Sequence, residues 1–277
     1  MVDFFEACAN NGPNLVAQFT HIKEGMAQDH ADTLSLFASA VEQHGRVAIN
    51  LRPTVLLAFL TLDEYQNIHE YAQEAHDVDN VPIEETLRGR LKRWYDKRLS
   101  FDDHFERGKE FKYGSLNIGG TGWLEYGEYC LIFEHGKFCA ECTIGYLRGD
   151  SLNYFVNDDA SIKEAEILSN CADENHKHFL ATIKFRDQIV LTTEEEWESL
   201  LYKNGSYIEV IFVGTVNTNQ LEVLRIPKSN HDEYWELVMK SHRGTLDKSD
   251  YYRAETFRLI RKHLQNKGMD LEVTEDA

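Results

Sequence analysis

Glu209 sits inside the most strand-like stretch of the chain, Tyr207-Ile208-Glu209-Val210-Ile211-Phe212-Val213-Gly214. A charge flanked by apolar residues in a strand either points to water or faces a cleft. In a cleft it requires partners or a chemical task. A carboxylate opening a core strand beneath a loop could bind a ribose hydroxyl and stabilise positive charge on a sugar ring. That is the electrostatic requirement of glycosyl transfer through an oxocarbenium-like transition state. Arg52 ends an earlier strand, where it either caps a sheet edge or offers a two-pronged clamp for a diphosphate.

Other motifs carry less. Cys139-x-x-Cys142, with Cys171, His176 and His178, has the residue types of a zinc site. The pair lies on an expected strand, where positions three apart face opposite ways, so buried thiols and no metal are expected. Gly119-Gly120-Thr121-Gly122 lacks both a dinucleotide fingerprint and a Walker lysine. It is expected to be a mobile loop lining a ligand site beside Trp123 and Tyr126. The twelve histidines single out no nucleophile triad.

The elements that must position these residues follow from periodicity. Leu34, Phe37, Ala38 and Val41 recur at helical spacing, with Gly45 as a stop. Arg46 to Arg52 alternates as a half-buried strand ending before Pro53. Thr54 to Ala75 and Glu84 to Leu99 read as single helices, and Lys112 to Ile118 as a strand. Tyr129 to Glu134 and Phe138 to Leu147 read as a hairpin turning at His135-Gly136. Ser161 to Cys171 reads as a helix and Ala181 to Leu191 as a strand pair turning at Arg186-Asp187. Glu194 to Tyr202 reads as a short helix stopped by Asn204-Gly205. Tyr207 to Val213 and Leu221 to Ile226 are expected to pair as strands. Asp232 to Ser241 and Tyr251 to Lys267 read as helices, and the acidic tail from Gly268 is expected to fray. Strands and helices neither alternate strictly nor segregate, which favours α+β.

Composition narrows the function classes. The chain has 277 residues and 42% hydrophobic content, enough for a sizeable core in one large domain. Its formal net charge of -18 argues against nucleic-acid and anionic-membrane partners. It leaves open a non-catalytic acidic interaction or inhibitor protein that meets a basic protein partner. An odd number of cysteines, five, is no disulfide framework. With no apolar run of membrane-spanning length and no basic leader, a cytoplasmic protein is expected.

Several short stretches, taken in order, resemble an uncharacterised bacterial family with the ADP-ribosyltransferase-like fold. They are Lys112-Tyr113-Gly114-Ser115-Leu116-Asn117, then Tyr126-Gly127-Glu128-Tyr129-Cys130, then Thr143 with Gly149-Asp150-Ser151, and last Tyr207-Ile208-Glu209-Val210 ahead of Gly214. The resemblance spans about residues 46 to 226. It implies a split antiparallel sheet with helical N- and C-terminal additions. The helical extension would be 1–45, the core 46–228, and the C-terminal helices and acidic tail 229–277. It also implies an enzyme that consumes NAD as substrate, either an ADP-ribosyltransferase or an NAD glycohydrolase. Under that resemblance Arg52 would hold the NAD diphosphate or adenosine ribose. Tyr113 would stack on nicotinamide, with Gly114 allowing close approach. Glu209 would bind the nicotinamide ribose and stabilise the cation. Asn117, Trp123 and Ser151 would wall the pocket. Two departures stand out. Arg52 occupies a position where other members carry His, and Tyr207 stands where transferases that modify an acceptor often hold Glu or Gln. The second leaves open whether the acceptor is a protein or water.

Overall fold

The computed structural model describes residues 1–202 and 206–275. The protein is α+β, with helices accompanying a mixed, mostly antiparallel sheet of eight strands. The chain opens with α1 (Phe4–Glu24), α2 (Gln28–His44), β1 (Arg46–Leu51) and α3 (Pro53–Leu62). Next come α4 (Ile68–Asp79), α5 (Ile83–Leu91), α6 (Tyr95–His104), β2 (Lys112–Asn117) and β3 (Tyr129–Phe133). The middle holds α7 (His135–Glu141), β4 (Cys142–Leu147), α8 (Ser151–Tyr154), α9 (Glu164–Ser169), β5 (Cys171–Asp173) and α10 (Lys177–Ile189). Then follow α11 (Trp197–Leu200), β6 (Glu209–Gly214), β7 (Leu221–Pro227), α12 (Lys228–Ser241), α13 (Lys248–Lys267) and β8 (Leu271–Thr274).

These elements form two compact units. The first combines Met1–Gly45, Gln66–Ile118 and Cys142–Gly214. Its strands run in the order β5-β4-β6-β2, all antiparallel. In that register Ser115 and Leu147 both stand opposite Glu209. Tyr113, Ile211 and Val213 therefore share the Glu209 face, since side chains alternate along a strand. Phe4 and Cys8 of α1 and Phe101 of α6 pack on that face, together with Phe105 and Phe111. Asp3 starts α1 by accepting from Phe5 N and Glu6 N at 2.9 and 3.1 Å, which satisfies two otherwise orphaned donors.

The second unit combines Arg46–Tyr65, Gly119–Glu141 and the chain from Thr215 onward. Its strands run β1-β3-β7-β8, with β7 and β8 parallel. Tyr234 of α12 stacks between Tyr129 of β3 and Phe257 of α13, with ring centroids 6.3 and 5.3 Å away.

Several local expectations are corrected. Residues 54–75 are not one helix. Asp63 turns left-handed after α3, and Asn67 and Glu70 cap α4 reciprocally. The 84–99 helix likewise breaks at Lys92, where φ is 49°. The hairpin at His135-Gly136 is a helix, because Glu134 accepts from Gly136 N and Lys137 N at 2.9 and 3.1 Å and starts α7. Residues 161–171 divide into α9 and β5. Residues 181–191 lie largely in α10 rather than in a strand pair. β6 and β7 do not pair with each other, since β6 lies between β4 and β2 while β7 lies between β3 and β8. Within the tail, Leu271–Thr274 pairs as β8 along β7 rather than fraying. The stop at Asn204-Gly205 lies outside the described residues.

Candidate functional site

Glu209 opens β6 and points into the core of the first unit, with only 3% of its surface exposed. Its Oε2 accepts from the backbone N–H of Ser151 at 2.8 Å. Burial pushes its proton affinity up to about 8, Asp150 adds to the rise, and Arg98 opposes it. Asp150 is itself tied down. Its Oδ1 accepts from Leu152 N and Asn153 N, and its Oδ2 accepts from the Tyr207 hydroxyl at 2.9 Å.

A second buried carboxylate, Asp102 of α6, is 1% exposed and gathers three side chains. The Tyr113 hydroxyl donates to Oδ1 at 2.5 Å, His69 Nε2 lies 2.8 Å from Oδ2, and Arg98 Nη1 lies 3.5 Å from Oδ1. The Arg98 guanidinium also covers the Tyr113 ring, 3.7 Å from its centroid, as expected for a cation on an aromatic face. Burial alone would lower the Arg98 affinity for its proton. Tyr113, Asp102, Glu209 and Asp150 outweigh it and hold the guanidinium above its ordinary value. For Tyr113, burial raises the phenol well above its usual range despite Arg98. Lys184 of α10 donates to the Tyr207 carbonyl at 2.6 Å, and burial, helped by Arg148, pulls it down to about 7.

The first unit thus holds Glu209, Tyr113, Gly114, Asn117 and Ser151 of the residues singled out from sequence. Asn117 is 1% exposed at the end of β2, and Gly114 pairs with Val210. Arg52 and Trp123 belong to the second unit. Arg52 is exposed at the start of α3 and lines a cleft of about 460 Å³ with Glu128, Tyr234, Tyr252 and Arg253.

The glycine-rich loop is anchored. Buried Asn50 donates to Thr121 O and Gly127 O at 2.9 and 3.0 Å and accepts from Trp123 N at 2.9 Å. Gly122 has φ of 70°, and a Cβ there would fall 2.0 Å from Asn50 Oδ1. A glycine is required on both counts.

Among the described residues, no three of Cys139, Cys142, Cys171, His176 and His178 lie within mutual ligand distance, so the zinc set does not assemble. Sequence reasoning missed Arg98, Asp102, His69 and Lys184. Asp150 was quoted within Gly149-Asp150-Ser151 but given no role. Its place before a short helix was the available signal. Comparison of the chain with protein-family models and with curated protein sequences gives no match.

Proposed function

We propose that this protein consumes NAD, cleaving the nicotinamide–ribose bond and transferring ADP-ribose to water or to an acceptor. One observation carries the reading: a glutamate at the head of a central strand, aimed inward and 3% exposed, with a guanidinium and a second acid around it. In that setting Glu209 holds its proton more tightly than an exposed glutamate. A cation arriving beside it reverses that preference, because an opposite charge favours the carboxylate. NAD brings its positive charge on the nicotinamide ring, and bond cleavage moves that charge onto the ribose. A fixed carboxylate in a dry site then stabilises the transition state more than the ground state.

The α+β class with a mostly antiparallel sheet supports the ADP-ribosyltransferase-like reading. Arg52 lines a cleft of the second unit, so no role beside Glu209 is given to it. In the first unit Arg98 joins the proposal as a positioning residue, since it stacks on Tyr113 and counters the charge of Glu209.

The burial of Glu209 also favours a second reading, in which the acid network is structural and the protein is a non-catalytic acidic partner of a basic protein. Incubation of the purified chain with NAD, with nicotinamide measured over time, separates the two. Nicotinamide release above the buffer control supports the enzyme. Its absence, together with no NAD-dependent rise in melting temperature, supports the interaction protein.

A further inference from the structure

We infer that the cleft between α12 and α13 in the second unit binds a nucleoside phosphate, at a site separate from Glu209 and independent of the NAD reading. The cleft has a volume of about 570 Å³, within the usual range of small-molecule sites. Trp235 supplies a flat wall. It is 39% exposed yet fixed, with its Nε1–H donated to His231 Nε2 at 2.9 Å and its ring edge-on to Phe257 at 5.6 Å. A held, half-open indole suits a planar base.

The cations that line the cleft differ in their partners from those around them. Nearby cations of the same two helices are neutralised: Arg253 by Glu233, Lys240 by Glu236, Lys267 by Asp63. Arg258 is likewise committed, to Glu255 and to Ser241 Oγ at 2.6 Å. Arg261 and Lys262 line the same cleft, and among the described residues neither has an ion pair or hydrogen bond. The Arg261 guanidinium lies over the Trp235 ring, 5.2 Å from its centroid, which holds this cation in the cleft against the indole. Two cations with no carboxylate partner among the described residues, next to an aromatic wall in a chain of net charge -18, are suited to a phosphate on a planar carrier. Asp270, also on the lining, supplies an acceptor for ribose hydroxyls.

The test is calorimetric titration of the full chain with ADP. Adenosine and inorganic phosphate are titrated in parallel. ADP is expected to bind at least about tenfold more tightly than either fragment, because both halves of the site are engaged. Arg261→Ala with Lys262→Ala is expected to weaken ADP by roughly 30-fold or more. Both side chains are exposed, so the fold should survive, and an unchanged melting temperature checks that. Trp235→Ala should weaken adenosine and ADP while leaving phosphate unchanged. Failure to bind ADP, binding that ignores the double substitution, or phosphate binding as tight as ADP would each overturn the site. None of these outcomes depends on whether nicotinamide is released.

Discussion

Replacing Glu209 with Gln should change how stability depends on pH, and the structure sets the sign and size of the effect. In the folded chain Glu209 holds its proton up to about 8, against an ordinary value of 4.5 when unfolded. Between those values the folded state binds more protons than the unfolded state. Stability is therefore fully present below about 4.5 and is lost as pH rises through about 8. Each pH unit inside the window is worth about 1.4 kcal/mol, so the whole span is on the order of 4–5 kcal/mol. Gln keeps the shape and an oxygen for the Ser151 N–H but carries no titratable proton. Urea unfolding of both proteins at several pH values measures the difference. Groups common to both chains cancel in the difference. The variant should match the parent near about pH 5 and gain on it steadily, exceeding it by several kcal/mol near about pH 8. Parallel pH profiles for the two proteins would refute the reasoning, because they would mean that Glu209 titrates in solvent.

Three further outcomes follow from the same geometry. Asp102→Ala strands a buried guanidinium and removes the acceptor of Tyr113 and His69, so it should destabilise by about 3–5 kcal/mol in a denaturation measurement. Asn50→Ala removes three hydrogen bonds that fix the loop carrying Trp123. It should cost about 2–4 kcal/mol and speed amide exchange in residues 119–128. Lys184 is depressed from 10.5 to about 7, so the unfolded state binds more protons above that point and stability gains with rising pH. Lys184→Met should flatten that gain in melting temperature measured from about pH 7 upward.

Legibility varied with how one-sided each element is. β1 was legible as a strand from Val47, Ile49 and Leu51 recurring every second residue, but it is buried on both faces from Val47 to Leu51 rather than half-buried. α10 was hidden because Leu180, Ala181, Thr182, Ile183 and Phe185 are all buried, so no single helical stripe stands out and its apolar run mimics a strand. α7 was hidden by Gly136, which suggested a turn, although Glu134 was the acceptor that starts the helix. β8 is four residues long and joins the sheet edge in parallel, a pairing that no local pattern encodes. In the site, Glu209 was legible as a charge out of place in an apolar strand. Arg98 and Asp102 were not, since an i, i+4 ion pair on a polar helix ordinarily lies in water and only tertiary packing buries this one. The pairing of Leu147 and Ser115 with Glu209 depended on strand neighbours that sequence could not supply.

The central claim is that the Glu209 carboxylate stabilises charge on the ribose of NAD. Steady-state nicotinamide release by the parent chain and by Glu209→Gln, at equal concentration and with the fold verified, tests it most directly. The account predicts measurable turnover in the parent and a loss of about 100-fold or more in the variant. Equal rates in the two proteins, or none in either, would contradict it.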